Sequence, residues 1–235
     1  MAKRIPFRER GTHMSRIDGF SDVVFGFALT LLVVSLEVPH TFQELIASLK
    51  GFVPFSICFY FLIQIWYVHY RYFRRYGLED TRTILLNSLL LFVVLLFVYP
   101  LKFLFTLITL HPQGNHMTGW DARILLMIYG LGFAAVWLIF GLMHLHAYAQ
   151  RTRLALNEIE LIDTRQTIGM CMAQAGVGLL SVLVTFLLPD RMAGASGFIY
   201  MLTGVTNTWV ASHYGRQRRL LEDRLLATKS EAVHV

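Results

Sequence analysis

Six apolar runs, each about the length needed to cross a hydrocarbon core ~30 Å thick, occupy most of the chain. They extend from Phe20 to Val38, Phe52 to Tyr72, Ile84 to Leu110, Ala122 to Tyr148, Thr167 to Leu188 and Ser196 to Tyr214. A backbone in lipid must satisfy its own hydrogen bonds, so each run is expected to be a helix. The expected fold is therefore all-α: a polytopic membrane protein with six transmembrane helices. Composition agrees, since 55% of the residues are hydrophobic and only 15% are charged, whereas soluble domains carry about 25% charged residues. That balance excludes an ordinary soluble enzyme, a disordered chain and a secreted disulfide scaffold. The two cysteines, Cys58 and Cys171, lie inside apolar runs and form no disulfide or metal pattern.

The polar gaps alternate in charge. Lys3, Arg4, Arg8, Arg10 and Arg16 precede the first run, and Arg71, Arg74, Arg75 and Arg82 border the gap after the second. Arg151, Arg153 and Arg165 follow the fourth, and Arg216, Arg218, Arg219, Arg224 and Lys229 follow the sixth. The gaps after the first, third and fifth runs hold few basic residues. Basic residues stay on the cytoplasmic side, so both termini are expected there, and an even number of crossings agrees. The formal net charge of +6 thus reflects topology and the lipid bilayer rather than nucleic acid. The first run is too long for a signal-peptide core, and Leu36-Glu37-Val38-Pro39 offers no small-residue cleavage site. The resulting layout is a basic cytoplasmic segment over 1–19, a membrane domain over 20–214 and a basic cytoplasmic tail over 215–235. The setting is a cell membrane, of the bacterial inner-membrane type.

The segment from Arg16 to Leu32 sets Asp18, Ser21 and Asp22 at the arginine-rich mouth of the first run. An ionised carboxylate at that depth is costly unless it is paired or lines water. Asp18 and Asp22 are one helical turn apart and share a face. Elsewhere no nucleotide loop, zinc motif or nucleophile elbow occurs. His144 and His146 are two residues apart, face different ways on a helix and read as interfacial histidines.

Arg16, Phe20, Ser21 and Asp22, with Thr30-Leu31-Leu32 downstream, resemble the first-helix signature of the transmembrane protein 175 family, in its prokaryotic single-repeat branch. Trp66 with His69 in the second run and Asn87 in the third fit the same family. The resemblance implies a potassium-permeable, weakly selective cation channel, a homotetramer with the first helix of each subunit lining the pore. It implies no cofactor, no catalysis and no bound metal beyond potassium passing near Thr30 as the permeant ion. Family pore positions carry over to Phe27, Thr30 and Val34. On a helix these fall on one stripe, which Val23 and Val38 extend. Asp22 lies about 140° around from Phe27 at roughly 100° per residue, so it should point towards neighbouring helices. There Arg16, Ser21 and Asp22 are expected to join His69 and Asn87 in a polar network that holds the first helix. Phe27 departs from the usual Ile or Leu, and Val34 is smaller than the usual Leu. Four phenyl rings would plug the path or offer their faces to a cation.

Taken without the resemblance, Phe27, Thr30 and Val34 read as helix-packing residues, and His69 reads as a packing histidine. The alternative function is a proton-coupled transporter using Asp18, Asp22 and His69, since intramembrane carboxylates often relay protons.

Overall fold

The structure, a computed structural model, describes residues 5–34, 40–110 and 118–231. Among the described residues there are six α-helices, one 3-10 segment and no strand. The helices are α1 (Arg16–Val34), α2 (Phe42–Tyr76), α3 (Thr81–Leu110), α4 (Gly119–Ala149), α5 (Glu158–Leu187) and α6 (Leu202–Glu231), with the 3-10 segment at Asp190–Met201. Helices α1 to α5 are long and apolar enough to cross a membrane.

Several helices begin well before their apolar runs, because capping residues rather than hydropathy set the starts. Thr41 and Glu44 form a reciprocal capping box that opens α2 ten residues ahead of Phe52. Thr118 with Asp121 opens α4, and Asn157 with Glu160 opens α5, in the same way. Ser15 and Asp18 exchange hydrogen bonds of 3.1 and 3.3 Å that close the first turn of α1. Asp18 therefore has a local structural task.

The sixth expected run is divided. Residues 196–201 lie in the 3-10 segment and 202–214 in α6, which continues unbroken to Glu231. The added turns bring Arg216, Arg218, Arg219, Glu222, Asp223 and Arg224 into the helix. The basic tail is thus an extension of α6 rather than a separate element.

The antiparallel pair α4–α5 forms the most extensive interface. It closes tightly at two glycines. A Cβ on Gly178 would lie 3.0 Å from the Gly130 carbonyl oxygen and 3.0 Å from the Ala134 nitrogen. Small residues allow such backbone approach where no hydrophobic driving force pulls helices together in lipid. Helix α3 packs on α4, α6 packs on α5, and α2 packs on α3. Helix α1 lies at one edge, against α2 and α3 alone among the described elements. Among the described residues α2 touches α4 slightly, and it reaches α5 at its arginine-rich end through a 2.8 Å hydrogen bond between Tyr76 and Thr164, while the rest of its length stands off α5 and α6.

The arginine-rich end is cross-tied. The segment before α1 runs beneath the bundle, where the Arg10 and Gly11 amides donate to the Arg74 carbonyl at 3.1 and 3.2 Å. Arg74 pairs with Glu9. Arg8 and Arg10 both pair with Glu160, at 3.1 and 2.7 Å, and the Glu160 side chain is fully buried. Arg218 of α6 donates to the Ile5 carbonyl at 2.7 Å. Four of the arginines read as topological charge, Arg8, Arg10, Arg74 and Arg218, therefore also fix the entry to α1. Nearby, His144 and His146 are both buried, not interfacial. His144 Nδ1 meets the Phe140 carbonyl at 2.8 Å, and His146 Nε2 meets Asp80 at 2.8 Å. Partial burial works against the charge on Asp80, but hydrogen bonds from Thr83 and His146 outweigh it and hold the carboxyl below its usual range.

Candidate ion pathway

Helix α1 carries two faces of opposite character. Ser21, Phe25, Ala28 and Leu32 are buried and repeat at spacings of four, three and four. Val23, Phe27, Thr30 and Val34 are exposed and repeat at the same spacings, two residues later. Two residues turn a helix by about 200°, so the second stripe faces directly away from the bundle. Val23 is 56% exposed, Phe27 63% and Val34 73%. Gly26, beside this stripe, has nothing within 4 Å of an added Cβ. Val38 lies outside the described residues.

The buried face is fixed by a directional hydrogen-bond chain. Asn87 Nδ2 donates to Ser21 Oγ at 2.9 Å, and Ser21 Oγ donates to the Ile17 carbonyl at 2.7 Å. Asn87 Oδ1 lies 2.8 Å from His69 Nε2. An amide oxygen only accepts, so His69 must carry its proton on Nε2. Ser21, Asn87 and His69 are at most 2% exposed, so each link depends on the others. Phe25 packs edge-on against the His69 ring at 5.5 Å. The chain joins α1, α2 and α3 at one level.

Asp22 is not in that chain. It is exposed and accepts a 2.8 Å hydrogen bond from Trp66 Nε1. This is a second tie between α1 and α2, one residue further around the helix. Arg16 is exposed and stands apart: among the described residues it has no side-chain hydrogen bond or ion pair. Phe20 is 59% exposed. The single polar network expected of these residues is thus two separate ties without Arg16. A cavity of about 300 Å³ brings Asp18, Asp22 and His69 to one lining. Each is already engaged, Asp18 with Ser15, Asp22 with Trp66 and His69 with Asn87.

Thr30 has its own geometry. Its hydroxyl donates to the Gly26 carbonyl at 2.9 Å. With its hydrogen committed to the helix, the oxygen offers only lone pairs outward. A cation brought to that face would meet an acceptor.

Residues 16–98, covering α1, α2 and much of α3, match the family model described as endosomal/lysosomal potassium channel TMEM175. A potassium channel from Marivirga tractuosa is 39% identical over 92% of this chain and 94% of its own length. The chain belongs to the TMEM175 potassium-channel family. A second relative, a potassium channel from Chamaesiphon minutus, is 32% identical over 56% of this chain and 64% of its own length. The crystal structure of a threonine-to-alanine variant of the potassium channel MtTMEM175, bound to a nanobody–MBP fusion, superposes with a TM-score of 0.82. It is 37% identical and covers 92% of this chain and all of its own. The TMEM175 relatives are potassium channels, not enzymes. With its membrane-length helices, this member is a multi-pass membrane protein.

Within the TMEM175 frame, the signature residues serve two purposes. Ser21, Asn87 and His69 fix the rotation of α1 about its axis, and Asp22 with Trp66 adds a tie at the mouth. The ties from the segment before α1 to Glu160, Arg74 and Arg218 lie outside the signature. They have no local spacing in sequence, so nothing in the sequence analysis pointed to them.

Substituting Asn87→Ala removes the centre of the chain and leaves Ser21 and His69 unmatched. Loss of a buried partner costs about 1–3 kcal/mol, so a lower unfolding temperature in detergent is expected. An unchanged midpoint would separate Asn87 from the anchoring of α1.

Proposed function

We propose that this chain is a potassium-permeable, weakly selective channel, formed by four copies with α1 of each lining the central path. The observation that carries the reading is the outward stripe of α1, an apolar, unpacked helix face with one aligned hydroxyl, Thr30. A helix at the edge of its own bundle, held on one side only, leaves that face to meet its equivalents around an axis. Rings of Val23, Phe27 and Val34 would exclude water and gate by dewetting. A ring of Thr30 oxygens would replace part of the hydration of a passing cation. Hydroxyls on side chains are fewer and more mobile than fixed carbonyl rings, and the Thr-Val-Gly-Tyr-Gly string is absent from the sequence. Modest preference for potassium over sodium follows. The basic ends support a cytoplasmic position for both termini. No cofactor is required.

The engagement of Asp18 in a helix cap and of His69 with Asn87 gives a proton-coupled mechanism no free relay, and conduction is the reading retained.

Two substitutions test the roles on the stripe. Thr30→Ala removes one oxygen ligand per subunit, a contact worth about 1 kcal/mol. The potassium-over-sodium preference, read from reversal potentials in mixed ions, is expected to fall several-fold. An unchanged reversal potential would take Thr30 out of the filter. Phe27→Ala should raise potassium flux into vesicles several-fold with the oligomer intact. Unchanged flux would remove the phenyl ring from the constriction.

A further inference from the structure

Beyond the Tyr76–Thr164 hydrogen bond, α2 stands away from the α5–α6 pair, which leaves a groove floored by α4. Two cavities occupy it. One, of about 370 Å³, lies at the arginine-rich end and is lined by Arg71, Arg75, Asp163 and Arg218 among others. The second, of about 490 Å³, lies deeper and is lined mainly by aromatic and apolar side chains, such as Phe61, Phe97 and Tyr129, with the uncharged polar Gln64, Gln174, Thr203 and Asn207 among them. Trp137 lines both, so they form consecutive parts of one groove. Every bordering helix keeps the same order. On α2, Arg75 and Arg71 give way to Gln64 and Tyr60. On α5, Asp163 gives way to Gln174, and on α6, Arg218 gives way to Asn207.

The charges at the basic end do not cancel. Arg218 pairs with Asp163 at 3.1 Å and lies 3.5 Å from Glu222. Among the described residues, neither Arg71 nor Arg75 has a carboxylate within ion-pair distance. Each is met by a ring, Arg71 by Tyr67 at 5.8 Å and Arg75 by Phe7 at 4.8 Å. They stand one turn apart on α2, where like charges repel, and Arg75 is half-buried. The carboxylate that shares their cavity, Asp163, lies beyond ion-pair distance of both and is already held by Arg218, so it compensates the partly desolvated guanidinium incompletely. The site can therefore accept a further anion. From Arg71 to Tyr60, α2 rises about 16 Å, roughly half of a ~30 Å hydrocarbon core. An anionic head above an apolar slot one leaflet deep matches a phospholipid, and basic pockets between membrane helices bind such heads.

We propose that the groove between α2 and α5–α6 is a binding site for an anionic phospholipid. Arg71 and Arg75 hold its phosphate, and one acyl chain passes Trp137 into the aromatic cavity. Free phosphate would satisfy the arginines and leave the deep cavity empty, so the lipid is the occupant assigned.

The test is native mass spectrometry of the intact channel, released from detergent containing equal amounts of dioleoyl-phosphatidylglycerol and dioleoyl-phosphatidylcholine. The unmodified channel is expected to retain phosphatidylglycerol with a preference of roughly ten-fold or more. R71Q/R75Q should abolish that preference. R151Q/R153Q, which removes the same charge from the same end of the bundle, should keep it. Gln64→Trp, which fills the deep cavity and spares the arginines, should weaken retention, and millimolar inorganic phosphate should not displace the lipid. Equal retention of the two lipids, a preference surviving in R71Q/R75Q, or equal loss in R151Q/R153Q would overturn the assignment. So would displacement by phosphate, unchanged retention in Gln64→Trp, or absence of any lipid adduct because a neighbouring subunit fills the groove. Potassium flux does not enter the readout, so failure here is distinguishable from failure of the pore assignment.

Discussion

The hydrogen-bond chain from Ser21 through Asn87 to His69 determines which way α1 faces. In lipid there is little hydrophobic preference between one apolar helix face and another, because the solvent is as greasy as the side chains. A run such as Phe20 to Val34 could rotate freely against its neighbours without much change in buried apolar area. Three buried polar side chains linked by hydrogen bonds remove that freedom. Ser21 cannot leave Asn87 without leaving an amide unmatched, and Asn87 cannot turn without losing His69. Once the face of Ser21, Phe25, Ala28 and Leu32 is inward, the stripe of Val23, Phe27, Thr30 and Val34 is outward by helix geometry alone. The proposed conduction path is thus a consequence of an anchor on the other side of the same helix.

A second set of constraints acts where α1 begins. Glu160 is fully buried and held by Arg8 and Arg10, and Arg74 holds the backbone of the same segment. The entry to the first helix is thereby tied to α2, to the start of α5 and, through Arg218, to α6. Rotation about the helix axis is set by the buried chain, and position at the membrane surface by these ties. Gly77 makes the junction sterically feasible: its φ of 56° ends α2 in a left-handed cap that few other residues adopt.

Much of this was legible in the sequence, for identifiable reasons. Five membrane helices follow from apolar runs that no soluble core would hold. The family pattern across the first three runs pointed to the residues of the anchor, since Ser21, His69 and Asn87 are polar where polarity is costly. What the sequence hid is of two kinds. Helix starts were hidden because capping boxes at Thr41, Thr118 and Asn157 lie in polar gaps, outside the hydropathy signal. Partnerships were hidden because no spacing encodes them. Trp66 and Asp22 both stood in the family pattern with nothing in their spacing to pair them, and Arg16 was expected in a network from which it stands apart. His144 and His146 were read from their place beside a basic gap, whereas the packing of α4 buries them. The sixth crossing is blurred for a related reason: a 3-10 segment supplies its first turns and a charged extension dilutes the rest.

The central claim, that α1 faces its own copies across an axis, is tested most directly by oxidative cross-linking of Val23→Cys in the assembled channel. The native cysteines, Cys58 and Cys171, are buried and give the background. Rapid disulfide-linked dimers of the subunit at position 23, with none from Val24→Cys one residue around the helix, are the result expected. No cross-link at position 23 in an intact oligomer, or equal cross-linking at both positions, would place the stripe against lipid and contradict the account.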